Sequence, residues 1–467
     1  MALRGRDDAA LDTLIAAQQD PASPEFRRWV TGSEFGRRFG AAPRDLKRVE
    51  RWLRDSGCRV KRARGRQQVT CVGGRPGDVP ATLRPLVDDV LDPATPLELR
   101  FNLTQPRSVD GDGFFLSPEE YAAFFGHDAL YAAKIDGSGQ HIGIVGASSV
   151  DLADINAFRA HYSLPEIDLT RAGNDPEMPP STDAELEADL DVSWAGAVAP
   201  GASIVLAVSS GGLVDAIGYL VNRSDISVIS LSVVLIPGPA SMPFIRQALR
   251  LFRQAAAQGQ TVLIASGDLG PLLKVKPKRK RGVDPMTASP FVTAVGGTTP
   301  VIPSGEEAAL RAYGSEVVWQ EGQAASGGGH GHTPRPSWQR RIGSSSSRRT
   351  VPDVALPAAN VYPIFFDVAN PDQPQPQLVG GTSAAAPAWA GLVAMLNQLR
   401  GHPAGLLNPT LYDLGRAQAS GGPAVFHDIV IGSSTTTLAR GFPAKPGYDL
   451  ATGWGTPDVP ALFAAIP

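Results

Sequence analysis

Short apolar runs rich in β-branched residues recur along the chain at 141–145, 202–207, 226–233 and 262–265, each separated from the next by sequence with a helical repeat. Runs apolar at every position, rather than alternating, predict strands buried on both faces, so the pattern implies an α/β fold whose parallel sheet has helices on both faces. Three further elements stand out. Residues 183–200 read as a helix closed by Pro200-Gly201, and 261–265 as a strand that stops at a glycine-bracketed aspartate, Asp268. A small-residue helix opens at Gly381-Thr382-Ser383 and runs on through Trp389, Leu392, Val393 and Leu396.

The first hundred residues differ in character. Helix-like runs at 7–19 and 43–56 precede a basic stretch (Arg59, Lys61, Arg62, Arg64, Arg66) and a β-like run at 68–72. Pro106, Gly111 and Gly113 lie among polar residues in a segment that reads as an exposed linker.

With 467 residues the chain is long enough for more than one domain, and 43% hydrophobic against 19% charged residues marks a globular protein. A formal charge of -3 argues against a nucleic-acid binder, and no apolar run is long enough for a membrane span.

A serine at a helix N-terminus sits among unpaired N–H groups that favour developing negative charge, which suits a nucleophile. Its usual base is histidine. None of the seven histidines (127, 141, 161, 330, 332, 402, 427) has a His-Gly-Thr setting, and no Asp-Thr-Gly or Asp-Ser-Gly follows the 141–145 strand, so an ordinary Ser-His-Asp triad is not expected. Glu187 and Asp191, four apart, project from one helix face, and two adjacent carboxylates hold a proton more readily than one alone. Asp268, at the end of a buried strand, lies where α/β folds place their chemistry and, protonated, can donate to an oxyanion.

Glu187-Ala188-Asp189-Leu190-Asp191 with its trailing Ala199-Pro200-Gly201, then Gly267-Asp268-Leu269-Gly270, then Gly381-Thr382-Ser383 with Pro387, resemble in this order the sedolisin family, the serine-carboxyl peptidases. The resemblance covers nearly the whole chain and implies a subtilisin-like catalytic domain. It makes Ser383 the nucleophile, Glu187 the base, Asp191 its orienting partner and Asp268 the oxyanion acid. The stretches from Ser326 to Gln339 and from Arg348 to Ala355 are similar in spacing. Residues 21–31 resemble the family's activation domain, a small α/β sandwich, giving an expected organisation of pro-domain 1–104, cleavable linker 105–115 and catalytic domain 116–467.

Phe426-His427-Asp428-Ile429 and Pro446-Gly447-Tyr448-Asp449 are similar to the family's C-terminal calcium site. That likeness implies one calcium per chain, bound by side chains of Asp428 and Asp449 and main-chain oxygens of Ile429, Lys445 and Gly447. Oxygen ligands suit this hard cation. Lys445 stands where glycine is usual, which a carbonyl ligand tolerates but which leaves an ammonium near a cation.

Two stretches depart from the family pattern. Ser230-Leu231-Ser232-Val233-Val234 replaces Ser-x-Ser-Trp-Gly, which alters the pocket beside the substrate. The basic tract 274–281 reads either as a solvated loop or as a cationic rim for acidic peptides. Cys58 and Cys71 lie at the ends of two potential neighbouring strands, as a disulfide or as two thiols.

The expected protein is a monomeric, acid-active endopeptidase made as a self-processing zymogen, with peptide substrates and its own pro-domain as inhibitor. A tripeptidyl exopeptidase with the same catalytic group and a silent peptide-binding relative are the alternatives. The family implies secretion, although the residues after Met1 show no signal peptide.

Overall fold

The computed structural model describes the chain except residues 105–106, 109–114, 177, 179–181, 276–277, 302–311, 344–345 and 367–373, with the backbone alone at 107, 108 and 182. The expected linker therefore lies almost wholly outside the described residues.

The central sheet runs Leu169–Gly173, Ser203–Val208, His141–Val145, Val228–Leu231, Thr261–Ala265, Thr293–Val301 and Ser315–Val318 from edge to edge, and Val354–Pro357 also pairs with Thr293–Val301. All of these pairings are parallel except that of Ser315–Val318. The four apolar runs form four of the strands, because each buries both faces under helices. One face packs against the Thr182–Val198 and Thr382–Arg400 helices, the other against Leu213–Val221 and Met242–Ala257.

The expected run at 226–233 is not one strand. It breaks at Ser232, and Val233–Leu235 leaves the central sheet to pair antiparallel with Leu99–Phe101. This break carries the chain from the core to the cleft.

The N-terminal part forms helices Asp8–Gln19, Gly32–Arg38 and Pro43–Asp55 and a hairpin of Arg59–Arg62 with Val69–Val72. A disulfide between Cys58 and Cys71 closes that hairpin, settling what spacing left open. Leu11, Leu14, Ile15, Val30, Phe35 and Phe39 share a core with Ala256 and Ala257 of the Met242–Ala257 helix. Around this apolar patch, Arg253 pairs with Asp8 and Asp12, Arg246 with Asp89, and Arg250 with Asp88 and Asp89. Docked in this way, the N-terminal part delivers residues 98–104 to the C-terminal end of the sheet.

Candidate active site

The Thr382–Arg400 helix begins beneath Gly381, whose φ of 103° lies in the left-handed region that favours glycine. Alanines at 384, 385, 386, 388 and 390 let it pass through the core, and Ser383 in its first turn is wholly buried. The Thr182–Val198 helix packs against it and turns Glu187 (2% exposed) and Asp191 (1%) inward.

Ser383 Oγ lies within interaction range of Glu187 but short of full hydrogen-bond geometry, as resting sites often are. Burial, and then Asp191, push the Glu187 carboxyl well above its ordinary range; the Ser383 contact opposes this and Asp268 adds to it. Burial also raises Asp191, against a lowering bond from Ser232. Raised in this way, the two carboxyls favour keeping a proton over both being ionised.

Spacing alone did not reveal the role of Ser232. At the strand break, its hydroxyl donates to Asp191 Oδ1 at 2.7 Å and has the Ser383 carbonyl oxygen at 3.3 Å. A hydroxyl has one proton to give. When Asp191 is protonated it can donate to Ser232, which then turns its own proton to the Ser383 carbonyl.

Asp268 follows the Thr261–Ala265 strand and faces the start of the serine helix. Its Oδ1 accepts from Thr382 N at 2.9 Å and Thr382 Oγ1 at 2.7 Å, while Gly267 N–H donates to Thr382 Oγ1 at 3.1 Å and so fixes the direction of that hydroxyl. Oδ1 is doubly engaged, which leaves Oδ2 to carry the acid proton. Burial raises Asp268 to about 6; the two Thr382 bonds and the Arg100 guanidinium oppose the rise. Below that pH its Oδ2 is a buried hydroxyl donor.

Oδ2 is buried and unpartnered, and a carbonyl of the same chain lies close by. Asn102 O accepts from Ser383 N–H at 2.9 Å. A Cβ on Gly381 would lie 2.2 Å from Asn102 O and 2.5 Å from Asp268 Oδ2, so both oxygens crowd the same glycine. Upstream, Leu99, Arg100 and Phe101 pair with Leu235, Val234 and Val233, and Ile236 N–H donates to Glu98 O at 2.9 Å. Downstream, Thr104 N–H donates to Gly380 O at 3.1 Å, and Arg107–Ser108 pairs with the Gln375–Val379 strand. The chain thus crosses the cleft as an added strand on both sides of Ser383. The β-branched residues at 233–234, a departure from the family pattern, form this receiving edge, buried on their other side.

Asn102 is wholly buried; its Nδ2 donates to Ser232 O at 2.8 Å and its Oδ1 accepts from Arg100 Nε at 3.1 Å. Arg100 also donates to Leu273 O at 2.9 Å, in a recess formed by Leu272, Leu273 and Asp284. The hairpin of Leu272–Lys274 with Lys280–Arg281 carries much of the basic tract, and Arg279 and Arg281 donate to the carbonyls of Leu438 and Arg440.

Far from the cleft, Asp428 Oδ2 accepts from Gly447 N–H at 2.7 Å and Asp449 Oδ2 from Lys445 N–H at 3.1 Å, so both carboxylates grip one turn. Asp449 is buried and accepts through Oδ1 from the N–H groups of Ala451 and Thr452; burial raises it to about 6 despite those bonds. Burial raises Asp428 too. Two carboxylates gathered on one carbonyl-bearing turn offer the oxygen donors that a hard cation takes. Lys445 is exposed, and Ile429 is buried beside Ala451.

Residues 1–74 match the model of the pro-kumamolisin activation domain, and 180–436 that of the subtilase family. Kumamolisin of Bacillus sp. (strain MN-32) is 34% identical over 421 residues, 83% of this chain and 72% of that protein. Tripeptidyl-peptidase 1 of Bos taurus is 34% identical over 252 residues, 48% of this chain and 40% of that protein. The solved structure of Pseudomonas sedolisin, a serine-carboxyl proteinase complexed with two molecules of pseudo-iodotyrostatin, matches with a TM-score of 0.64 at 27% identity over 76% of this chain and 98% of that one.

Proposed function

Because this chain belongs to the sedolisin family and is a serine-type peptidase with an activation domain, we propose that it is an acid-active endopeptidase, held as a zymogen, that cuts itself first at Asn102–Leu103. One observation carries this reading: the Asn102 carbonyl oxygen rests on the Ser383 N–H with the chain extended on both sides. In the proposed reaction Glu187 takes the Ser383 hydroxyl proton as Oγ attacks the Asn102 carbonyl carbon. The oxyanion is held by Ser383 N–H and the Asp268 Oδ2 proton. Asp191 shares charge with Glu187. The Asn102–Leu103 bond then breaks, Glu187 returns its proton to the Leu103 nitrogen, and water releases the acyl group from Ser383.

An endopeptidase is favoured over a tripeptidyl exopeptidase because the bound segment runs past the third residue before the scissile bond. Arg100 is that third residue, yet Leu99 still pairs with Leu235 and Glu98 O still accepts from Ile236 N–H. An exopeptidase cleft would be closed there. The proposed organisation is an inhibitory pro-domain over 1–104, cut first two residues before its end, a linker over 105–115 trimmed afterwards, and a catalytic domain over 116–467. The Cys58–Cys71 disulfide accords with secretion into an oxidising compartment. Among the described residues no helix is long and apolar enough to cross a membrane.

At the C-terminal turn the proposed ligands of one calcium are Asp428 and Asp449, with main-chain oxygens of Ile429, Lys445 and Gly447. An ion bound there would supply positive charge to the buried Asp449 and the exposed Asp428 and tie the turn in place.

The test is incubation of the full chain at about pH 4 with mass analysis of the products. A new N-terminus at Leu103, absent from the Ser383→Ala protein, is expected. An intact chain that hydrolyses no peptide would instead support the silent relative.

A further inference from the structure

The helix that carries Glu187 and Asp191 holds a second pair of carboxylates on its opposite side. Glu185 and Asp189 each lie two residues before one of the first pair, about 200° around an α-helix, and they face the first turn of the Leu152–His161 helix, where Asp154 stands. One carboxylate oxygen from each of Asp154, Glu185 and Asp189 lies within 4.8 Å of the other two.

A cluster of acids on a surface would mean little, but this one is built into the interior. Asp189 is 1% exposed and Asp154 4%, and only Glu185 reaches toward solvent. Among the described residues no N–H or hydroxyl donates to either oxygen of Asp189, and its carboxyl lies against that of Asp154. The charged groups that act on it most strongly, Asp154, Glu185 and Asp151, are all of one sign. Asp151 is engaged elsewhere, capping its helix by accepting from Ala153 N–H. A buried carboxyl without a donor is costly, and it is relieved by a proton or by a cation.

We propose that Asp154, Glu185 and Asp189 form a cation site for calcium, separate from the C-terminal turn. Oxygens spread over at most 4.8 Å all fit on one ion whose Ca–O distances are about 2.3–2.6 Å. The donor set is oxygen alone, which selects a hard cation over zinc or copper. Glu185, on the open side, leaves room for water to complete the shell and for the ion to enter. Once bound, the ion links the first turn of the Leu152–His161 helix to the helix that bears Glu187 and Asp191. It thereby fixes the position of the catalytic pair from behind.

Calcium content per chain and melting temperature with and without a chelator test this, using the uncut Ser383→Ala chain as background. Against that background, Asp154→Asn/Asp189→Asn is expected to bind one calcium fewer than its parent and to lose part of the chelator-induced fall in melting temperature. Asp428→Asn/Asp449→Asn reports the other site, so losses at the two places should add. Should the first double variant fold poorly, Glu185→Gln at the half-exposed ligand is expected to weaken calcium binding at least tenfold while leaving the fold intact. Unchanged calcium content in Asp154→Asn/Asp189→Asn, or unchanged affinity in Glu185→Gln, overturns the site. So does a parent whose calcium disappears entirely with Asp428→Asn/Asp449→Asn.

Discussion

The Ser383 N–H donates to the Asn102 carbonyl oxygen at 2.9 Å, across 281 residues of chain, and so holds a peptide bond of the protein itself at the proposed nucleophile. In the proposed reaction that contact selects which bond is exposed to attack. Replacement of Asn102 by proline would remove the Asn102 Nδ2 bond to Ser232 O and distort the strand at the point of attack. The Asn102→Pro chain is expected to process at least tenfold more slowly, with any cut displaced from 102–103; sequencing of the new N-terminus decides, and unchanged cleavage at Leu103 would remove Asn102 from the scissile position.

Arg100 lowers the pKa of the carboxyl that must stay protonated. Asp268 stands at about 6 with the guanidinium nearby. The acid donates only below its pKa, so the alkaline limb of self-processing should fall near that value. Arg100→Gln lifts the opposing charge, and the limb is expected to move to higher pH. A pH profile of first-turnover cleavage checks the sign; a downward move would be inconsistent with a protonated Asp268 as donor.

Ser232 is expected to act through Asp191 and not on substrate alone. Loss of its hydroxyl removes the 2.7 Å bond to Asp191 Oδ1, worth about 1.5–3 kcal/mol for a charged acceptor. For Ser232→Ala in the processed enzyme, kcat should fall roughly 10- to 100-fold with a small change in KM. Since the bond holds Asp191 down, the acid limb of the profile should also rise. Equal losses in KM alone would point to substrate binding instead.

Stability should decline as pH rises from acid toward neutral. Burial raises Asp268 and Asp284 to about 6 and Glu316 to about 7, each above the unfolded value near 4. A carboxyl whose folded pKa is raised binds its proton more tightly in the native state. Its favourable contribution is complete below about pH 4 and is lost as pH climbs through the folded pKa. Glu50, lowered chiefly by its bond with Arg62, works the other way within the N-terminal part. The processed, calcium-loaded catalytic part of Ser383→Ala, cut in trans, should therefore melt at a higher temperature near pH 4–5 than near pH 7. A melting temperature that increases steadily to pH 7 would contradict the buried-acid account.

At the C-terminal turn, Asp449→Ala removes the carboxylate that gathers the N–H groups of Lys445, Ala451 and Thr452. The variant is expected to lose calcium from that turn and to lower the melting temperature by several degrees, as removal of a ligand specific to the native state must. Calorimetry at matched free calcium reads both effects; full calcium content in Asp449→Ala would place the ion elsewhere.

Local pattern was enough to find four of the central strands, one of them run on past its break, and the helices over 182–198 and 382–400, because an apolar run or a helical repeat announces itself within a few residues, while the roles expected of Glu187, Asp191, Asp268 and Ser383 came from their order along the chain. The relations among them had no such signature. Ser232 reaches Asp191 because one strand breaks where the core ends, and Cys58 meets Cys71 because the hairpin folds the start of Arg59–Arg62 back onto the end of Val69–Val72. Asn102 arrives at Ser383 because arginines on the Met242–Ala257 helix hold Asp8, Asp12, Asp88 and Asp89 beside an apolar patch. Residue type and helical or strand period are properties of short windows, whereas docking and the burial that sets these pKa values depend on surfaces assembled from distant segments, and only the folded chain brings those surfaces together.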